Sequence, residues 1–127
     1  TESYSTKIDL MKSFEDLDAW KESVQLSADM YLHFKDSRDY GFKDQITRSA
    51  LSIPSNIAEG RERESVKERR NFYIYAKGSC GELQTQIRVG AKAGFISTET
   101  ANQWLGQARK FSAMLHGLIQ HINRQLK

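Results

Sequence analysis

Apolar residues recur along this chain at three- and four-residue steps in four separate runs. That is the period of an amphipathic α-helix, not of a strand. In the first run Leu17, Trp20, Val24, Tyr31 and Phe34 form one stripe, with Ser27 in the missing place. Ser13-Phe14-Glu15-Asp16 has the form of a capped start. The spacing predicts a helix over about residues 14–37, with Gly41 punctuating the turn after it. The second stripe is Phe42, Ile46, Ala50, Ile53 and Ile57. It contains the only proline, Pro54, whose ring presses on the carbonyl of Ala50 and predicts a kink. Gly60 is the expected terminator. Ser65-Val66-Lys67-Glu68 then reads as a capping box, opening a third stripe of Phe72, Ala76, Ser79, Leu83 and Ile87 that ends near Ala93-Gly94. With Thr98 as its expected N-cap, the fourth helix carries Trp104, Ala108, Phe111, Leu115, Leu118 and Ile122. Those alternating steps of four and three make the seam of a left-handed bundle.

Residues 1–12 are polar and without clear period, which predicts a flexible N-terminal leader ahead of a helical domain over residues 13–127. Four amphipathic helices of similar length joined by short loops have one economical packing. It is an all-α, antiparallel, up-down-up-down four-helix bundle.

The third helix carries more apolar surface than such a bundle needs. Phe72, Tyr73, Ile74 and Tyr75 are consecutive, and residues about 100° apart point all the way round a helix. A helix apolar all round is buried all round, so these four are the candidate interface of a homo-oligomer. The small run Gly78-Ser79-Cys80-Gly81 would let a neighbouring helix approach closely. The plainer alternative is that the tyrosines lie flat at the rim with their hydroxyls in water.

Composition narrows the class. A chain of 127 residues, 39% apolar and 28% charged, suits one soluble domain with a real core. Its apolar runs are too short to span a membrane, and Thr1 to Ile8 lack the apolar centre of a signal peptide. The single Cys80 cannot form an internal disulfide, which suits a reducing cytoplasm. The net charge of +3 is uneven, because residues 1–40 hold nine acids against five bases. Arg61, Arg63, Lys67, Arg69 and Arg70 cluster between helices two and three, and Arg48, Arg88 and Lys92 extend the set. They are candidates for contact with RNA or DNA. Interleaved Glu62, Glu64 and Glu68 support ordinary surface pairing equally well.

Catalytic and metal patterns are absent from the sequence. The residues three before His33, His116 and His121 are Met30, Ala113 and Leu118, so the Glu-x-x-His motif of a di-iron bundle is missing. One cysteine and no His-Glu-x-x-His disfavour zinc. No cofactor is expected, and Cys80 reads as a buried structural thiol. Asn56, Glu59, Glu82 and Gln86 fall close to the core stripes of helices two and three, where they would satisfy backbone groups or tie the helices together. A catalytic Glu59/Glu82 pair is the enzyme alternative. The expectation is a non-enzymatic protein.

Two segments carry a resemblance. Gln45-Ile46-Thr47-Arg48-Ser49-Ala50-Leu51-Ser52-Ile53-Pro54-Ser55-Asn56-Ile57-Ala58-Glu59-Gly60 resembles the signature of the 23S rRNA-intervening-sequence proteins, also called the four-helix bundle protein family. So do Ala76-Lys77-Gly78-Ser79-Cys80-Gly81-Glu82-Leu83-Gln84-Thr85-Gln86-Ile87 and the following Gly94-Phe95; Leu17 and Trp20 also fit. The resemblance covers about residues 14–122. It implies a bacterial antiparallel bundle that assembles with itself as a ring, typically a pentamer, with Pro54, Asn56, Glu59, Gly60, Glu82 and Gln86 as its structural signature. A related branch comprises accessory proteins of diversity-generating retroelements, so a reverse transcriptase and nucleic acid are implied partners. A protein-partner adaptor with no nucleic-acid role is the alternative. The chain departs from the family pattern in its mild basicity and its acidic first helix.

Overall fold

A computed structural model describes residues 4–126, with side chains placed from Asp16 onward. It consists of four helices: α1 (Tyr4–His33), α2 (Tyr40–Glu62), α3 (Val66–Lys92) and α4 (Thr98–Leu126). There are no strands among the described residues. The expected leader and its capped start at Ser13 are not element boundaries, because α1 is helical from Tyr4. Neither glycine nor proline occurs between Tyr4 and His33, so nothing in the sequence interrupts it. Residues 1–3 of the expected leader lie outside the described residues.

The other helix ends follow local chemistry. Gly41 lies in the first turn of α2, not in the preceding loop. Ser65 caps α3 as expected, its hydroxyl accepting from the Glu68 N–H at 3.3 Å. Gly94 ends α3 with a φ of +82°, the left-handed conformation that favours glycine. Phe95 N–H then returns to the Gly90 carbonyl at 2.8 Å. The cap of α4 is Ser97, not Thr98: its Oγ accepts from Thr100 N–H at 3.1 Å, because Thr98 is already inside the helix. Pro54 is buried within α2.

Each helix packs against two neighbours around one core; the α2–α3 seam is the most extensive and the α1–α4 seam the least. Across the seams, rising residue numbers on one helix meet falling numbers on the next: Ser49 meets Glu82 and Ser52 meets Ser79, while Arg70 meets Asn123 and Lys77 meets His116. On α2 the predicted Ile46, Ala50, Ile53 and Ile57 are buried, and on α4 all six predicted positions are buried. On α3 the core positions are Tyr73, Ala76, Cys80, Leu83 and Ile87, so Tyr73 and Cys80 replace the expected Phe72 and Ser79. Cys80 is fully buried, and burial pushes its thiol up to about 12. At the end of the core near the α1–α2 turn, the Phe34, Phe42 and Trp104 rings pack edgewise or tilted on one another.

The largest departure is on α1. Its buried face is Asp16, Ala19, Ser23, Leu26, Ser27, Met30 and Phe34. Of the expected stripe, only Ser27 and Phe34 are buried. The stripe skips Leu26 and Met30, and beside them the core also accepts small and polar residues on the face turned inward.

Gly78 and Gly81 meet nothing where a Cβ would stand, so nothing in the chain requires a glycine at either position. Gly78→Ala is therefore expected to raise stability by about 0.5–1 kcal/mol through helix propensity alone. A thermal melt of the variant beside the parent chain checks this, and a lowered midpoint would contradict it.

Candidate functional site

The region where the basic cluster falls is built around a buried acid. Asp16 of α1 takes a hydrogen bond from Arg61 Nη1 at 2.6 Å and a second from the Tyr73 hydroxyl. The carboxylate thereby joins α1, α2 and α3. Burial pushes the Asp16 carboxyl above its usual range, against the opposing pull of Tyr73 and Arg61. Burial and the adjacent carboxylate both push the Tyr73 phenol upward. Asp16 reads in the sequence as an acid in a first helical turn. The one signal that it faces inward is its position three residues before Ala19 and seven before Ser23.

The neighbouring arginines are engaged in the same fabric. Arg69 donates from Nε to the Gly60 carbonyl at 3.3 Å and from Nη2 to the Arg63 carbonyl at 3.5 Å, closing the end of α2. Those are acceptors a helix terminus leaves without intrahelical partners. Arg63 pairs with Glu59 at 2.9 Å and lies 4.8 Å over the Phe72 ring. Arg70 Nε donates to Asn123 Oδ1 at 2.6 Å, tying α3 to α4. Of the expected nucleic-acid surface, Arg48, Lys67, Arg88 and Lys92 remain exposed. Lys67 and Lys92 stand at opposite ends of α3 and Arg48 on α2, so the eight basic residues do not form one patch.

The aromatic belt also divides. Tyr73 is buried in the core and is not available to a second copy. Phe72 is half-buried, with its ring edge-on to Tyr75 at 5.7 Å. Ile74 and Tyr75 are exposed. The reason is geometric: of four consecutive helical residues, one must point at the core.

A second apolar surface, which the sequence reading placed in the core, lies along the outside of the α1–α2 seam. Leu17 and Trp20 line a recess there with Ala58, Arg61 and Glu62. Tyr31 lines another with Asp44, Thr47, Arg48 and Leu51. Val24, Tyr31 and Leu51 are exposed at 39%, 45% and 46%. Thus α1 turns Ala19, Ser23 and Ser27 inward beside Leu26, Met30 and Phe34, and leaves Val24 and Tyr31 at the surface.

Between α2 and α3 lies a polar groove that gathers several signature residues. One part is lined by Gln45, Arg48, Ser49, Ser52, Ser79, Glu82 and Gln86, and the adjoining part by Phe42, Gln45, Glu82, Thr85, Gln86 and Val89. Ser52 and Ser79 hydroxyls meet at 2.7 Å, and Ser49 Oγ donates to Glu82 at 3.4 Å. Asn56 is satisfied locally, donating to the Ser52 carbonyl at 2.8 Å. Glu59 and Glu82 are both exposed, the first paired with Arg63 and the second facing Ser49, so they are not brought together as a pair. Among the described residues no group of three or more His, Cys, Asp or Glu is arranged to hold a metal ion. No described helix is long and apolar enough to cross a membrane. Pro54 and Gly60 are buried on α2.

The profile of the family described as 23S rRNA-intervening sequence protein matches residues 15–117. A similar solved structure is the crystal structure of a protein with unknown function from the S23 ribosomal protein family of Bacteroides thetaiotaomicron. It superposes with a TM-score of 0.75 at 18% identity, over 80% of this chain and 97% of that one. At that identity the likeness is one of fold. No curated protein matches the chain.

Proposed function

The chain belongs to the 23S rRNA-intervening sequence protein family, and we propose that it acts as a non-enzymatic scaffold, an antiparallel up-down-up-down bundle that assembles with copies of itself. One observation carries this reading: besides its buried Leu26, Met30 and Phe34, α1 leaves further large apolar side chains on its outer flank. A helix of a lone soluble bundle turns its large apolar residues inward. Here Val24 and Tyr31 are exposed on the outer α1–α2 flank, and the partly buried Leu17 and Trp20 line a recess beside them. An apolar strip of this kind is a protein contact surface. Exposed Ile74 and Tyr75 on α3 supply a further edge. The resemblance suggests five copies in the assembly and a cytoplasmic setting.

Protein contact is favoured over nucleic acid as the working mode, because Arg61, Arg63, Arg69 and Arg70 are engaged within the fold. Sedimentation velocity tests the reading. The 14.6-kDa chain should sediment as a multiple of itself. The double variant Val24→Lys, Leu51→Lys should sediment as a monomer with its helical signal retained, since both positions are exposed in the single chain. A monomeric parent chain at tens of micromolar would sink the proposal. Filter binding against a salt series separates the alternative, since contact with phosphates loses affinity steeply as salt rises.

A further inference from the structure

We propose that the recess between α2 and α3 is a receptor for a guanidinium group, the side chain of an arginine presented by a partner polypeptide. The recess is about 420 Å³, and among its lining residues Phe42, Gln45, Glu82, Thr85, Gln86 and Val89 the only ionised side chain is Glu82. Glu82 is exposed, and its one hydrogen bond, from Ser49 Oγ at 3.4 Å, is long. The carboxylate therefore keeps nearly all its accepting capacity. On the same helix, one turn further on, Gln86 Oε1 is buried and receives no donor. Buried polar atoms without a partner are rare and unfavourable. Reversing the amide would bury an NH₂ in its place and leave the mismatch standing.

The group that matches this lining must be cationic, and it must carry more than one N–H so as to reach Glu82 and Gln86 together. It must also tolerate an apolar wall. A guanidinium has five N–H donors in a fixed plane and engages carboxylates bidentately. Its aliphatic stem suits the wall formed by Phe42 and Val89. An ammonium is a compact point charge with no planar fork, and fits two neighbouring acceptors less well. An anion is excluded by the carboxylate. Arg48 lines the adjoining part of the groove, which shares Glu82 and Gln86, but it is not among the residues lining this recess. The recess is lined by α2 and α3 residues, none of which lines the α1–α2 recesses, so the inference does not rest on the self-association proposed above.

Two-dimensional ¹H–¹⁵N NMR of the full chain tests this with a short capped peptide bearing one arginine, beside the same peptide with lysine or citrulline in that place. Saturable shifts at Thr85 and at the Gln86 side-chain amide are expected with arginine. Affinity should fall about tenfold with lysine, and citrulline, isosteric but neutral, should give no saturation. Glu82→Gln should abolish the arginine response while the rest of the spectrum stays in place. Equal responses to arginine and citrulline, an undiminished response in Glu82→Gln, or no saturable response to arginine would each overturn the proposal.

Discussion

Replacing Asp16 by alanine lowers the unfolding free energy by about 3 kcal/mol, the range reached when one partner of a buried ion pair is removed. The loss comes from what is left behind. Tyr73 is buried, so its hydroxyl has no access to water in place of the carboxylate. Arg61 is partly solvated, its side chain 35% exposed, and recovers some hydration, which holds the loss at the lower end of that range. The network also joins α1 to α3, two helices that share no seam, so its loss frees α1 from the far side of the core. Tyr73→Phe removes the single hydroxyl and is expected to cost about 1.5 kcal/mol. Urea unfolding of the three proteins measures both, and an Asp16→Ala midpoint equal to the parent's would refute the account.

The pH dependence has a definite sign. The folded chain holds the Asp16 carboxyl above its ordinary value of 3.8, with burial as the largest cause. The folded state therefore binds that proton more tightly than the unfolded state does. The contribution of this titration to stability is fully present below the unfolded value and is lost as pH rises through the folded one. Asp16→Asn removes the titration, so the parent chain should lose stability relative to Asp16→Asn as pH climbs from below 3.8 toward neutrality. A gap that moves the other way would show that Arg61 and Tyr73 outweigh desolvation.

What could be read from the sequence depended on how far side-chain size reports direction. On α4 the residues with the largest apolar groups are also those that face inward, so Trp104, Phe111, Leu115 and Leu118 were legible from spacing alone. On α1 the two properties separate. Its inward face mixes Leu26, Met30 and Phe34 with an alanine, two serines and an acid, while Val24 and Tyr31 lie outside and Trp20 only packs against the edge of the core. A stripe traced through Val24 and Tyr31 is therefore rotated away from the core. The surface it does trace is the flank that suggests assembly. The partners of the basic cluster were illegible for a related reason. Composition registers Arg61, Arg69 and Arg70 as charge alone, but the Asp16 carboxylate, the carbonyls at the end of α2 and the Asn123 amide become their partners only when the helices meet. The signature residues split likewise: Glu82 and Gln86 line the polar groove, Asn56 serves its own helix, and Gly60 makes room for another helix.

That last role gives the second large effect. Gly60→Val is expected to cost about 3 kcal/mol, the upper end of the overpacking range. The sequence suggests that Gly60 ends α2, yet the helix continues to Glu62 and Gly60 is buried inside it. A Cβ at this position would stand 2.8 Å from Tyr73 Cε1 and 3.2 Å from Phe72 Cβ. Neither neighbour can withdraw cheaply. Phe72 Cβ is fixed to the α3 backbone, and the Tyr73 ring is enclosed by the core and held at its hydroxyl by Asp16. Gly90 is a second such position: a Cβ there would meet Ile96 Cδ1 and Phe42 Cζ at 2.6 Å, and Ile96 is buried in the core. A double-mutant cycle isolates the cause. In a Tyr73→Ala background the steric part of the Gly60→Val cost should shrink, leaving the contact with Phe72 and the low helix propensity of valine. If the Gly60→Val cost is unchanged in that background, the Tyr73 ring is not what demands a glycine in this motif.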